Sequence, residues 1–146
     1  MIIVEVVPPS GSDAEPVLSS LKALSELPID GFSVATNPVA KPRMSALALC
    51  SLIHQRTKQP AILHCTTRDH NRLSLQGELW GALTLGIDTV LVMAGDFVAL
   101  GDRASTTTVH DLDVLGLVSM ARETGLRTGV VFEHFQTSTE MEHGLR

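Results

Sequence analysis

Four groups of polar residues lie at or near the ends of apolar segments, and their side chains can do acid–base and ligand-binding chemistry. They are Glu5, Thr36 with Asn37, residues 64–69, and Gly95 with Asp96. A positioned carboxyl group or a histidine can give a proton to a substrate or take one from it. Two carboxylates in different surroundings, here Glu5 and Asp96, can divide an acid role from an electrostatic role.

Each group also has a purely structural interpretation. Glu5 lies inside the apolar segment 2–7, so its carboxylate must be desolvated or face a cavity. It then either pairs with an arginine or caps backbone amides, or it acts as a general acid. His64 could be a hydrogen-bonded core residue. Residues 68–69 could form an ion pair within a loop, and residues 95–96 could form an ordinary turn. The shared position at strand ends favours the functional interpretation.

Five short segments rich in Val, Ile and Leu are predicted to be strands buried on both faces. They are residues 2–7, 31–35, 61–65, 88–94 and 128–132. Between them, apolar residues recur at helical spacing around residues 14–21, 46–53, 75–83 and 114–121, and each stripe can pack on a sheet. A polar connection over residues 96–110, which contains Thr106 and Thr107, separates the fourth strand from the last helix.

The alternation of strands and helices predicts an α/β fold with a parallel sheet and right-handed crossovers. Two architectures compete: a doubly wound open sheet, and a partial TIM-type barrel of about four (βα) units plus a fifth strand. A complete barrel needs about 250 residues, and this chain has 146. In both architectures ligands bind at the carboxyl ends of the strands. We therefore expect Glu5, His64 and Asp96 to face one cavity.

Composition argues against several classes of protein. With 44% hydrophobic and 18% charged residues, the chain is not disordered. A net charge of -5 and 3% aromatic residues, with no Tyr, argue against a nucleic-acid partner. The histidines and cysteines show no metal-ligand spacing, so no metal site is predicted. No segment is predicted to span a membrane or to serve as a signal peptide, so a cytoplasmic location is expected.

Five motifs, taken in order, carry a resemblance to a known family. They read VEVVPP at residues 4–9, FSVA at 32–35, LHCTTRDHNR at 63–72, LGIDTVLVMAGD at 85–96 and DLDVLGL at 111–117. Each motif is short, but their order and spacing together resemble methylenetetrahydrofolate reductase. The resemblance covers about residues 2–132.

The resemblance implies an eight-unit barrel that holds FAD at the carboxyl ends of its strands. It implies that NAD(P)H reduces the flavin, which passes hydride to 5,10-methylenetetrahydrofolate and gives 5-methyltetrahydrofolate. Glu5 matches the acid that protonates the folate so that its five-membered ring opens. Asp96 matches an aspartate beside the flavin, where its charge tunes the cofactor. The other implied cofactor contacts are Thr36, His64, Gly95, Thr106 and Thr107.

The motifs correspond to the first half of the family's barrel. We therefore expect a partial barrel of the flavin and folate type over residues 1–133 and a C-terminal tail over residues 134–146. The expected active species is a homo-oligomer, or a complex with a complementary half-barrel chain. The alternatives are a non-catalytic or degenerate half-barrel that serves as a binding module or subunit, and an unrelated phosphate-binding barrel enzyme. The lack of a Gly-rich phosphate loop counts against the last.

Overall fold

Strands and helices alternate along the whole described chain in the computed structural model, which describes residues 1–103 and 105–131. The strands are β1 (Ile3–Val6), β2 (Gly31–Val34), β3 (Ala61–Thr66), β4 (Thr89–Met93) and β5 (Arg127–Val130). The helices are α1 (Glu15–Leu24), α2 (Ala46–Thr57), α3 (Arg72–Thr84) and α4 (Val114–Thr124), with short 3-10 turns at Pro38–Ala40 and Val98–Leu100.

The five strands form one parallel sheet in the order β1-β2-β3-β4-β5. Each strand therefore pairs with the next one along the chain, as in a (βα) barrel, and the predicted partial barrel is confirmed. Within the described residues β5 does not pair back to β1, so the sheet remains open. The sequential order distinguishes this sheet from a doubly wound one, in which the strand order reverses at a switch point.

The two faces of the sheet differ in composition. Register and alternation place one set of apolar strand residues in a single buried core with the helices: Val6, Phe32, Val34, Ala61, Leu63, Cys65, Val90 and Val92. Leu49, Ile53, Leu75, Leu79 and Leu117 supply the helical side of this core and have no exposed surface. Burial of this apolar surface is the main force that holds the helices against the sheet.

The opposite face, which we call the inner face, includes Glu5, Ser33, Ile62, His64 and Leu91. The expectation that the strands are buried on both faces is wrong here, since Glu5 is exposed and Ile62 and Leu91 are only half-buried. The physical reason is that the sheet does not close, so the described chain covers this face only in part: Ser33 and His64 are buried, but the face around Glu5 is open. The predicted end of the last strand at residue 132 and the tail over residues 134–146 lie outside the described residues.

Candidate functional site

Two of the predicted site residues share the inner face of the sheet. Glu5 lies opposite Ser33 on the neighbouring strand, and His64 lies one strand further along. Burial lowers the pKa of His64 below its usual range, while the negative charge of Glu5 acts in the opposite direction and is the weaker influence. His64 is therefore a neutral imidazole at pH 7, within electrostatic reach of a solvent-exposed carboxylate.

The inner face also carries two polar atoms that lack a hydrogen-bond partner among the described residues. They are Nε2 of His64 and Oγ1 of Thr66, and both are buried. Residues two apart on a strand point to the same face, so the two side chains are neighbours. An unsatisfied buried polar group costs about 1–3 kcal/mol, and such groups in a folded protein call for an explanation such as a bound molecule.

Thr36 follows β2, and its hydroxyl donates a hydrogen bond to the carbonyl oxygen of His64. This bond ties the end of β2 to β3 beyond the last residue of the strand ladder. Thr36 thus holds the backbone of His64 in place. Its predicted contact with a cofactor stays a prediction.

Arg68 joins three loops at the carboxyl edge of the sheet. Its guanidinium donates two hydrogen bonds to the carboxylate of Asp69, at 2.6 and 2.8 Å. It also donates to the carbonyl oxygens of Asp96 at 2.9 Å and of Asn37 at 3.1 Å. The side chain of Arg68 is only 2% exposed, so these bonds lie away from water. The alternative of a loop ion pair at residues 68–69 is therefore correct, and the pair links loops that are distant in sequence.

The charges of this pair stabilise each other. The hydrogen bonds that Arg68 donates to the carboxylate of Asp69 raise the pKa of Arg68 above its usual range. Burial raises the pKa of Asp69, but hydrogen bonds from Arg68 and Asn37 outweigh burial and hold that pKa below its usual range. Both groups are therefore charged at neutral pH, and the carboxylate of Asp69 accepts three hydrogen bonds, two from Arg68 and one from Asn37.

Gly95 and Asp96 continue the chain beyond β4. Gly95 has a φ of +94°, and a Cβ there would lie 3.1 Å from the Cβ of Arg68. The carboxylate of Asp96 is exposed and accepts a hydrogen bond from the amide of Val39 at 2.6 Å. Asp96 thus links the β4–α4 connection to the β2–α2 loop. Its predicted place beside a flavin stays a prediction.

The segment that contains Thr106 and Thr107 crosses the end of β3. The amides of Val109 and His110 donate to the carbonyl oxygens of Arg68 and Thr67, at 2.9 and 3.1 Å. Thr106 lines a cavity of about 200 Å³ at this edge of the sheet. Thr107 is exposed and does not belong to the lining of that cavity.

The expectation of one cavity shared by Glu5, His64 and Asp96 is met only in part. Glu5 and His64 share the open inner face, whereas the carboxylate of Asp96 is bound to Val39. None of these three side chains lines the 200 Å³ cavity. Closure of the sheet would be needed to enclose Glu5.

Sequence reasoning missed the importance of Thr66 and underestimated that of Arg68. A sequence signal existed, because polar residues 66–68 directly follow the apolar segment over residues 61–65 that the sequence predicts as a strand. Polar residues that extend a buried strand are themselves buried and must find partners or bind ligands.

The comparisons with known proteins agree with this architecture. The family model described as methylenetetrahydrofolate reductase matches residues 1–134 of the chain. No curated protein matches it. In the parts of the chain that the structure describes, no helix is long and apolar enough to cross a membrane. Because the family match spans most of the chain and the sequential parallel sheet suits a barrel, this protein belongs to the methylenetetrahydrofolate reductase family.

Proposed function

We propose that this protein carries out the flavin-dependent reduction of 5,10-methylenetetrahydrofolate to 5-methyltetrahydrofolate, with NAD(P)H as the reductant. Membership of the family supports a reductase-type function in folate one-carbon metabolism. The observation that carries the specific proposal is the arrangement of Glu5 and His64 on one face of the sheet, with an exposed carboxylate beside a neutral imidazole. We propose a cytoplasmic location for this reaction.

We propose that the inner face holds the ring system of FAD. Its buried orphan atoms, Nε2 of His64 and Oγ1 of Thr66, offer hydrogen bonds to the polar edge of such a ring. Half-buried Ile62, Leu91 and Met93 offer apolar contact on the same face. When bound, the flavin supplies the hydride chemistry, and the protein supplies position and electrostatics. We retain Thr36, Gly95, Asp96, Thr106 and Thr107 as proposed cofactor contacts.

Glu5 is the proposed general acid. We propose that its carboxyl group, once the inner face is covered, delivers a proton to a nitrogen of the folate's five-membered ring, so that the ring opens at the carbon to be reduced. Neighbouring Ser33 is buried and uncharged, and His64 is held neutral. Glu5 is therefore the inner-face group best suited to donate a proton.

The unpaired edges and exposed inner face of the open sheet favour association with a partner chain. The outer edges of β1 and β5 have no neighbouring strand among the described residues, and the inner face is partly exposed. Unpaired strand edges are templates for association, and only closure removes them. We propose that a second copy, or a complementary half-barrel chain, completes the partial barrel formed by residues 1–133, with residues 134–146 as a tail.

Replacement of Glu5 by Gln tests the proposal. Gln keeps the size of Glu but cannot deliver a proton, so folate reduction should fall by about 10²–10⁴-fold. Flavin binding and NAD(P)H oxidation should persist, because the reductant gives its hydride directly to the cofactor. Stopped-flow spectroscopy separates the two half-reactions. Glu26→Gln is the matched control, since Glu26 is exposed in the connection between α1 and β2, at the amino edge of the sheet and away from the site.

Two outcomes would contradict the proposal. Equal loss of both half-reactions in Glu5→Gln would make Glu5 a structural or cofactor-binding residue. Flavin binding by the unaltered protein without any folate reduction would favour the alternative function, a non-catalytic half-barrel that binds but does not turn over. The exposure of Glu5 to water is the observation that favours this alternative.

A further inference from the structure

A groove of about 470 Å³, which we call the α3–α4 groove, lies between helices α3 and α4. Its lining combines apolar and polar side chains with two charged ones, and it includes Arg72, Leu73, Gln76, Leu112, Met120 and Glu123. Leu73 and Glu123 are exposed, so the groove opens to solvent. It lies on the helices and not among the loops at the carboxyl edge of the sheet, so it is separate from the candidate functional site.

Beside the groove, α3 carries apolar side chains on the face opposite the core. Leu75, Leu79 and Ala82 are fully buried, whereas Leu73 and Trp80 are 82% and 61% exposed. Leu73 and Trp80 are seven positions apart, which is almost two turns of helix, so they lie on one face. Closure of the sheet would cover its inner face, but this stripe lies on the other side of the helices and would stay exposed. Contiguous exposed apolar surface marks a site of interaction.

The stripe on α3 is complementary to itself when a second α3 crosses it in the antiparallel direction. Leu73 and Trp80 are spaced evenly about Gln76 and Gly77, so a two-fold axis at this midpoint places Leu73 of each copy against the partner's Trp80. Gly77 lies at the crossing point, and a Cβ there would meet no atom within 4 Å, so the two backbones can approach closely. A two-fold interface uses the same patch of both subunits in this way.

The charges of the α3–α4 groove suit the same antiparallel arrangement. Helices α3 and α4 run in the same direction, because each follows a strand of one parallel sheet. Arg72 begins α3 and Glu123 lies near the end of α4, so the two charges lie at opposite ends of the groove. Neither forms an ion pair with any residue in the described ranges. An antiparallel copy reverses the ends, so Arg72 of each subunit meets the partner's Glu123.

We propose that a second copy of this chain docks on the α3–α4 groove through a two-fold axis that crosses it. Leu73 and Trp80 form the apolar centre of the interface, and the two pairs of Arg72 with the partner's Glu123 close its ends. One rotation thus satisfies both the apolar stripe and the charges. This interface leaves the edges of β1 and β5 and the inner face free, so it is distinct from the strand-edge association and does not depend on the proposed reductase activity.

Paired charge reversals in the full chain test the proposal by sedimentation velocity. Arg72→Glu or Glu123→Arg alone places like charges at both ends of the interface, so each should weaken association at this face by about tenfold or more. An equimolar mixture of the two variants pairs opposite charges at both ends and should restore association between unlike copies. A glutamate at the start of α3 and an arginine near the end of α4 suit the helix dipoles, so both variants should fold, which circular dichroism checks.

Trp80 reports on this face separately from the strand edges, because it is the only tryptophan of the chain. Its fluorescence emission should shift to shorter wavelength as the unaltered protein is concentrated through the micromolar range, since the partner's Leu73 displaces water from the indole. Leu73→Asp should abolish the shift, whereas Leu27→Asp, the same change at an exposed residue between α1 and β2, should preserve it. Emission that does not change with concentration, or a mixture that associates no better than the single variants, would overturn the proposal, even where sedimentation shows association through the strand edges.

Discussion

Replacement of Arg68 by Met removes the guanidinium that ties three loops together at the carboxyl edge of the sheet. The change leaves the carboxylate of Asp69, which is 20% exposed, without its cationic partner. It also leaves the carbonyl groups of Asp96 and Asn37 without their hydrogen-bond donor. Breaking a buried ion pair from one side costs about 3–5 kcal/mol. Because Asp69 keeps some contact with water, we expect the lower end of this range, about 3 kcal/mol.

The assays are urea unfolding, which gives the change in the free energy of unfolding, and thermal unfolding, which gives the change in Tm. Both are followed by circular dichroism at one fixed protein concentration. For a chain of this size each kcal/mol shifts Tm by about 3 °C, so the expected fall in Tm is about 10 °C. The matched control is Arg56→Met. Arg56 also makes two hydrogen bonds to a carboxylate, that of Glu15, but its side chain is 44% exposed and that of Glu15 is 58% exposed. An exposed pair of this kind contributes at most about 1 kcal/mol.

A double variant, Arg68→Met with Asp69→Asn, separates two contributions to the loss of stability: the unpaired charge of Asp69 and the missing hydrogen bonds to the backbone carbonyl groups. Since it removes the carboxylate as well, it should recover part of the stability lost in Arg68→Met. A loss below about 1 kcal/mol in Arg68→Met, no larger than that of Arg56→Met, would refute the assignment of Arg68 as the residue that holds the three loops.

Three further predictions concern the backbone, the histidine and the open sheet. Gly95→Ala should destabilise the fold by about 1–3 kcal/mol in urea unfolding, because φ is +94° and the new Cβ would crowd Arg68. The control is Gly77→Ala, in the middle of α3 with open space around it, which should instead stabilise the fold by up to about 1 kcal/mol. Equal effects of the two substitutions would contradict the reasoning. Because burial lowers the pKa of His64, the unfolded chain binds a proton more readily than the folded one below about pH 6.5, so stability should fall as pH drops through this window. His64→Asn should flatten that slope, and an unchanged slope in unfolding curves measured from pH 7 to 5 would rule the histidine out as its origin. The unpaired outer edges of β1 and β5 predict self-association, which sedimentation velocity measures, and a stable monomer at all micromolar concentrations would count against a second copy as the partner.

Much of the fold follows from local patterns in the sequence. Runs of Val, Ile and Leu of strand length, separated by apolar stripes of helical spacing, indicate βα units and hence a parallel sheet. All five predicted strands that lie in the described chain are present, with ends that shift by one or two residues. The position of His64 on β3 and of Glu5 on β1 follows from the same patterns.

The exposure of Glu5 did not follow from these patterns. Apolar neighbours on both sides of Glu5 predict that it is buried, because an unbroken apolar segment is typical of a strand that is covered on both faces. Coverage of the inner face depends on whether the sheet closes, and closure is a property of strand number and tilt that no single segment encodes.

The contacts of Arg68 and the lining of the 200 Å³ cavity were decided by tertiary structure alone. Arg68 reaches partners 31 and 28 residues away in the chain, at Asn37 and Asp96. Arg43 and Arg103 line the same cavity only because their loops leave the same edge of the sheet. Hydrophobic periodicity fixes the type and order of the elements, because it acts between residues a few positions apart. The partners of a polar loop residue depend instead on how the completed sheet brings separate loops together.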